Sequence, residues 1–233
     1  MTIPSPRHGV CPGEKVNDTR DVGVKRLASS VASEQTGFVI DRQTKAHPAA
    51  IVLTPGAGAG RDQSTLVALD VALTQQGIAV ERIDFPYRLA GRRAPDRPPV
   101  LVGAVRSAAA DLAARSGVDQ KQVALGGRSM GGRMCSIAAS EGLPTSCLVL
   151  ISYPLHPPGR PERLRTAHFP AITVPCLFVS GDHDAFGSPD ELQAATQLIT
   201  GPVTHAWLPG ADHALRGRDD QVTAIVGSWL LSD

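Results

Sequence analysis

Short apolar runs alternate along the chain with segments whose apolar residues recur at helical spacing. Six runs each predict a strand: AAIVLT (49–54), GIAVERIDF (77–85), QVALGG (122–127), SCLVLISY (146–153), VPCLFVSG (174–181) and VTHAWLPG (203–210). Most of these runs have no polar face, which is typical of strands that are buried on both sides of a parallel sheet.

The segments between and after these strands carry helical patterns. Apolar residues recur on one helical stripe at residues 62–76, 100–116 and 219–231. Gly77 and Gly117 follow the first two stripes as C-caps, and SPDE at 188–191 is a capping box that predicts a further helix. Strand alternating with helix predicts right-handed crossovers and a doubly wound, mostly parallel α/β sheet with helices on both faces.

The N-terminal part of the chain has a different composition. Residues 1–30 contain scattered prolines, glycines and charges without apolar periodicity, which predicts a flexible tail. We expect residues 31–233 to form a single domain, because this length is enough to bury one substantial core.

Composition and charge exclude several classes of partner. The 23 basic and 22 acidic residues nearly cancel, so we expect neither a nucleic acid nor a membrane surface as partner. No run reaches the roughly 18 apolar residues of a membrane span, and the first residues lack the apolar segment of a secretory signal. The four cysteines lack metal-site spacing and are predicted to be reduced. We therefore expect a cytoplasmic protein whose oligomeric state the sequence leaves open.

The segment LGGRSMGGRM at residues 125–134 contains the pattern G-x-S-x-G around Ser129. A buried strand precedes it and a helical segment follows, which is the context of a nucleophile elbow; a glycine-rich turn is the alternative. In an elbow, Gly127 and Gly131 leave room for the strained serine. The amide of Met130, at the start of the helix, would then face a developing oxyanion.

The loop TPGAGAG at residues 54–60 follows the first strand, where a second oxyanion donor is expected. Its small residues allow close approach of the backbone, and the amide of Ala57 is the first candidate, with Gly56 and Gly58 next. A phosphate-binding loop is the competing interpretation. It is disfavoured because no Gly-Lys-Ser/Thr follows and the spacing is not G-x-G-x-x-G.

A serine nucleophile needs a base and an acid that orients the base. Parallel strands bring their C-terminal ends to one edge, so the loops after VPCLFVSG and VTHAWLPG lie near the serine. Asp184, at the tip of the first loop, is the better candidate acid. Asp182 directly follows the strand and is predicted to bind local backbone amides. His213 is the candidate base. It is favoured by position over four rivals: His183 lies beside the acid, His205 within a strand, His8 in the tail and His47 at the opposite edge.

With these segments in this order, the chain resembles the α/β-hydrolase superfamily, close to its dienelactone-hydrolase-like members. The segments LTPGAGAG, GGRSMGGR, ISYPLHPPGRPERLR, LFVSGDHDAFG and GADHAL carry the resemblance over about residues 50–215. More narrowly, the chain resembles the subgroup that includes testis-expressed protein 30 and the hydrolase-like subunit of the NSL histone acetyltransferase complex. The resemblance implies the α/β-hydrolase fold, with Ser129 as nucleophile, Asp184 as acid and His213 as base.

Two positions depart from the pattern of relatives. Pro55-Gly56 stands where many relatives have His-Gly, which removes a side chain that often fixes the oxyanion loop. Ser129 stands where dienelactone hydrolases proper have cysteine, so their lactone chemistry is not implied.

The link at residues 154–173 is too short for a helical lid domain, so we expect an open site. His156 in this link and Arg128 beside the serine are candidates for substrate contact. The alternatives are that His156 orders the proline-rich link and that Arg128 pairs with a neighbouring acid.

The sequence therefore predicts a serine hydrolase, esterase-like or thioesterase-like, that acts on a small-molecule ester or acyl substrate and needs no metal or organic cofactor. The alternatives are a non-catalytic interaction protein of the same fold and an acyltransferase that uses the same triad.

Overall fold

The computed structural model describes residues 47–232, so the predicted tail at 1–30 and its boundary with the domain lie outside the described residues. The strands are Ala50–Thr54 (β1), Ala79–Arg82 (β2), Val123–Arg128 (β3), Leu148–Ile151 (β4), Cys176–Gly181 (β5) and Val203–Leu208 (β6). The helices are Ser64–Gln75 (α1), Pro86–Leu89 (α2), Pro98–Ser116 (α3), Met130–Ser140 (α4), Pro189–Thr196 (α5) and Asp219–Leu231 (α6). Each of the six runs predicted to form a strand contains one.

The six strands form one parallel sheet in the order β2-β1-β3-β4-β5-β6. Because every neighbouring pair is parallel, all the strands end at the same edge. At that edge Thr54 of β1 is in register with Gly127 of β3, and Gly181 of β5 is in register with Leu208 of β6. The loops that follow these strands are therefore neighbours.

The sheet is covered on both faces, as the strand pattern predicted. Ala50 and Val52 of β1 belong to a buried cluster that includes residues of α3 and α4. The alternating residues Ile51 and Leu53 belong to a second cluster that includes residues of α1 and α6. Successive strand residues point to opposite faces, so a strand with two apolar faces is what a doubly wound sheet requires.

The capping residues predicted for the C-terminal end of α3 and the N-terminal end of α5 are confirmed. Gly117 follows α3 with a φ of 66°, and its backbone N–H donates to the last turn. Ser188 and Glu191 form the reciprocal capping box at the start of α5. No pattern predicted α2, because four residues are too few to show periodicity; this helix begins at Pro86 and carries Tyr87 towards the edge of the sheet where the strands end.

The segment between β4 and β5 contains no lid domain. Its regular structure is limited to a one-turn 3-10 helix at Phe169–Ala171. The link between β4 and β5 therefore places no helical lid over the edge of the sheet where β3 ends.

Candidate active site

Ser129 lies at a sharp turn between β3 and α4. Its φ of 50° and ψ of −115° are strained for a residue with a side chain. The backbone N–H of Ser129 donates to the carbonyl of Ile151 at the end of β4. The predicted context of strand, strained serine and helix is thus present.

The two glycines of the G-x-S-x-G pattern lie where a side chain has no room. A Cβ on Gly127 would lie 2.0 Å from Oγ1 of Thr54, and one on Gly131 would lie 2.6 Å from the carbonyl oxygen of Pro55. The helix after the serine therefore presses directly on the end of β1, which places Ser129 beside the loop that follows β1.

Ser129, His213 and Asp184 form a continuous hydrogen-bonded chain. The Nε2 atom of His213 lies 2.9 Å from Oγ of Ser129, and its Nδ1 lies 3.0 and 2.8 Å from the two carboxylate oxygens of Asp184. The Asp184 side chain is only 1% exposed. With the Nδ1 proton donated to Asp184, Nε2 is free to accept the serine proton, which is the arrangement of a general base. Asp182 instead accepts a hydrogen bond from the backbone N–H of Gly210. The partner is a backbone amide, as predicted, but it lies 28 residues away after β6 and not in the same loop.

The loops that carry the acid and the base touch through their backbones. A Cβ on Gly181, at the end of β5, would lie 2.1 Å from the carbonyl oxygen of Ala211. The backbone N–H of His183 donates to that same oxygen. The separation of Asp184 and His213 is therefore set largely by main-chain contacts.

Phe186 is a residue of the site that the sequence reasoning missed. Its ring centroid lies 4.0 Å from that of His213, at an interplanar angle of 30°, and its backbone N–H donates to Oδ1 of Asp184. It packs on the imidazole and helps to hold the carboxylate in place. An aromatic residue two positions after the acid was the available signal.

The loop after β1 is held by two side chains that the sequence analysis did not single out. The backbone N–H of Gly56 donates to Oε1 of Gln63 at 3.1 Å, and the N–H of Gly58 donates to the hydroxyl of Tyr87 at 3.0 Å. Gln63 and Tyr87 therefore hold the loop although it lacks the His-Gly sequence of many relatives.

These contacts narrow the choice of oxyanion donor. The amides of Gly56 and Gly58 are occupied, whereas the amide of Ala57 has no acceptor among residues 47–232. The same holds for the amide of Met130, the first of α4. Gly56 and Ala57 line the cleft above Ser129, and Gly58 does not.

A cleft of about 460 Å³ lies above Ser129 and His213, and Arg128 forms part of its wall. Arg128 is only 6% exposed, and its Nη2 donates to the backbone carbonyl of His213. It forms no ion pair with any described carboxylate, so the predicted alternative of pairing with a neighbouring acid is wrong. Burial lowers the pKa of its guanidinium, an effect that Asp219, Asp184 and Asp212 partly offset.

His156 does not lie in the cleft, contrary to the proposed substrate contact. Its Nδ1 lies 2.9 Å from the carbonyl oxygen of Pro157, and its Nε2 lies 3.5 Å from Glu191. Its backbone N–H donates to the carbonyl of Phe186. These contacts fit the alternative interpretation, in which His156 orders the proline-rich link.

Metal binding and membrane crossing both depend on features that can be checked in the described residues. Within residues 47–232, no group of three or more His, Cys, Asp or Glu side chains is placed to hold a metal ion. The helices of this region are all too short or too polar to cross a membrane.

Known proteins share this fold. A family model described as an alpha/beta hydrolase domain matches residues 47–224. The fold is similar to that of a dienelactone hydrolase from Anabaena variabilis (18% identity, TM-score 0.63, 79% of this chain and 86% of that chain). It is also similar to that of Est1E from Butyrivibrio proteoclasticus with bound ferulic acid (18% identity, TM-score 0.64, 80% of this chain and 89% of that chain).

A third similar structure comes from Xanthomonas campestris and is described as a serine hydrolase without lid (18% identity, TM-score 0.61, 82% of this chain and 87% of that chain). At such identities the structural likeness shows a shared fold, whereas the family model covers well over half of the sequence. The chain therefore belongs to the alpha/beta hydrolase domain family.

Proposed function

We propose that the protein is a serine hydrolase that cleaves a carboxylic ester or thioester through an acyl-enzyme intermediate. The observation that carries this proposal is the chain of hydrogen bonds from Asp184 through His213 to the strained Ser129. Membership of a hydrolase family makes hydrolysis the expected reaction class, and the geometry supports the proposed roles of the three residues.

The first half of the reaction transfers the acyl group to the enzyme. The hydroxyl of Ser129 attacks the carbonyl carbon while Nε2 of His213 takes its proton, and the carbonyl oxygen becomes an oxyanion. The unoccupied amides of Ala57 and Met130 are the donors for that oxyanion. His213 then gives the proton to the departing alcohol or thiol, and the acyl group remains on the serine oxygen.

The second half repeats these steps with water. His213 removes a proton from a water molecule, which attacks the acyl-enzyme, and the serine leaves with the proton restored. Asp184 stabilises the imidazolium that forms in each half. The nucleophile, base and oxyanion donors are all protein groups, so this route needs no metal or organic cofactor.

The competing class is an interaction protein that keeps the fold without catalysis. Three features favour the enzyme: Ser129 and Asp184 each lie within hydrogen-bond distance of His213, the backbone at Ser129 is strained, and two amides beside the serine have no acceptor among residues 47–232. Strain and unused donors lower stability, so they are expected where they serve a reaction. The narrower subgroup, the single-domain boundary and a cytoplasmic location stay predictions of the sequence.

Labelling with a fluorophosphonate probe tests the proposal, with Ser129→Ala as the first variant. Ser152 offers a matched control, because it also follows a strand with a positive φ (47°), but its buried hydroxyl has no hydrogen-bond partner among residues 47–232. We expect the wild type and Ser152→Ala to be labelled and Ser129→Ala to remain unlabelled. A folded wild type that takes no label, or a label that persists in Ser129→Ala, would contradict the proposal.

A further inference from the structure

Three arginine side chains lie around the cleft that holds the serine. Arg128 ends β3, Arg133 lies in the first turns of α4, and Arg165 comes from the link between β4 and β5. Within residues 47–232, none of the three forms an ion pair. Of the twelve described arginines outside the cleft, four form an ion pair with a carboxylate: Arg82, Arg92, Arg106 and Arg115.

Two of the three guanidinium groups keep a buried N–H without a partner. The Nε atoms of Arg128 and Arg133 are both shielded from solvent and make no hydrogen bond. Arg128 uses Nη2 to bind the carbonyl of His213, and Arg165 uses Nη1 to bind the carbonyl of Pro154 at 3.3 Å. Both Nε atoms are closed to solvent, so a ligand oxygen would bind the Nη groups of the side chains that line the cleft, and no described carboxylate lies within ion-pair distance of those groups.

The positive charge of Arg133 affects two neighbouring side chains. Burial, and after it the charge of Arg133, lowers the pKa of Arg165. Burial and the charge of Arg133 also lower the pKa of His168 to about 4, so that this ring stays neutral. The carboxylate of Asp184 is engaged by His213 and does not approach Arg128 to ion-pair distance. The charge of Arg133 therefore acts on both Arg165 and His168, whereas the charges that act on Arg128 are those of carboxylates outside ion-pair distance.

We propose that these arginines bind an anionic oxygen group of the substrate, a carboxylate or a phosphate. This inference rests on the proposed function and deepens it, because it makes the substrate an ester or thioester that carries a negative charge. The planar guanidinium fork matches the geometry of both groups and binds them through two N–H donors. A neutral substrate offers these side chains no opposite charge, so the cluster discriminates against it.

The test compares esters that differ only at the end remote from the reacting carbonyl. Mono-p-nitrophenyl adipate carries a carboxylate, its phosphonate-terminated counterpart stands for a phosphate, and p-nitrophenyl heptanoate is the neutral reference. We expect the wild type to prefer one of the charged esters in kcat/KM by about ten- to a hundredfold, the value of a hydrogen bond to a charged group. Which charged ester is preferred separates the carboxylate from the phosphate.

Two variants and a matched control assign that preference to the cleft. Arg133→Gln and Arg165→Gln should each lower the ratio of charged to neutral kcat/KM by about tenfold, mainly through KM. Arg163→Gln removes the same charge from the same link, but its side chain is exposed and lies outside the cleft. It should retain most of the wild-type ratio, and raised salt should increase KM for the charged ester only.

The outcomes separate the two proposals. If the wild type hydrolyses heptanoate, Ser129→Ala does not, and no charged ester is preferred, the anion site is wrong and the hydrolase stands. An equal loss of preference in Arg163→Gln would also overturn the anion site. If no ester is hydrolysed, titration calorimetry of the folded protein with adipate and with inorganic phosphate decides. Binding that is lost in Arg133→Gln supports the site, and no binding overturns it.

Discussion

Replacing Gly131 by alanine would test whether the serine turn depends on the close approach of α4 to β1. The added Cβ would lie 2.6 Å from the carbonyl oxygens of Thr54 and Pro55. Moving these contacts to the 3.4 Å of an ordinary contact requires the two segments to separate by about 0.8 Å. The two proposed oxyanion donors, Ala57 and Met130, lie on opposite sides of this gap, so the separation widens the site itself.

The expected magnitudes follow from that displacement. Alanine is better than glycine inside a helix by ~1 kcal/mol, whereas overpacking costs ~1–3 kcal/mol. We therefore expect Gly131→Ala to lower the free energy of unfolding by up to ~2 kcal/mol. A misplacement near 1 Å costs roughly a hundredfold in rate, so kcat should fall by about that factor.

Gly103 provides the matched control, because it lies inside α3 with no atom within 4 Å of an added Cβ. Gly103→Ala should raise the free energy of unfolding by ~0.5–1 kcal/mol and leave kcat unchanged. Both variants are measured by urea unfolding and by steady-state hydrolysis of a p-nitrophenyl ester. If Gly131→Ala keeps at least half of the wild-type kcat and is as stable as Gly103→Ala, the explanation from close packing is wrong.

Three further predictions concern the surroundings of the site. Tyr87→Phe removes only the hydroxyl that accepts a hydrogen bond from the N–H of Gly58. We expect kcat to fall by about three- to tenfold and the free energy of unfolding to fall by ~1 kcal/mol or less. An unchanged kcat in steady-state assays would refute the role of Tyr87 in holding the loop. Burial lowers the pKa of His205 to about 4. Between pH 6.5 and 4 this histidine is therefore protonated in the unfolded chain but largely neutral in the folded protein. The free energy of unfolding should fall by ~1–2 kcal/mol as the pH drops through this range. Urea unfolding across this range should show a flatter dependence for His205→Gln, and equal slopes would contradict the assignment. Burial also raises the pKa of the Cys135 thiol to about 12, so iodoacetamide at pH 8 should modify this cysteine only after unfolding, as peptide mass spectrometry can detect.

The strands and the three residues of the hydrogen-bonded chain could be predicted because their signals are local. A strand buried on both faces is a continuous apolar run, and parallel pairing then brings the ends of all such runs to one edge. Ser129, Asp184 and His213 each follow such a run, so their meeting needed no knowledge of loop conformation.

The residues that support the site were harder to predict because their partners are distant in sequence. Tyr87 reaches Gly58 across 29 residues and lies on a helix too short for periodicity to show. The sequence could not decide whether His156 contacts the substrate or orders its link. The path of that link depends on a hydrogen bond from the backbone N–H of His156 to the carbonyl of Phe186, which no local pattern encodes. Arg133 did have a signal, since it lies four residues after Ser129 and therefore on the same side of the following helix.

The distance along the sequence between the serine and its base affects when the site can form during translation. Ser129 and His213 lie 84 residues apart. At 5–20 residues per second, roughly 4 to 17 s pass on the ribosome between the addition of one and the other. During that interval the serine hydroxyl has no base and is a weak nucleophile. The growing chain of the proposed enzyme is therefore inert towards the acyl groups it meets, and hydrolysis starts only after β6 has joined the sheet.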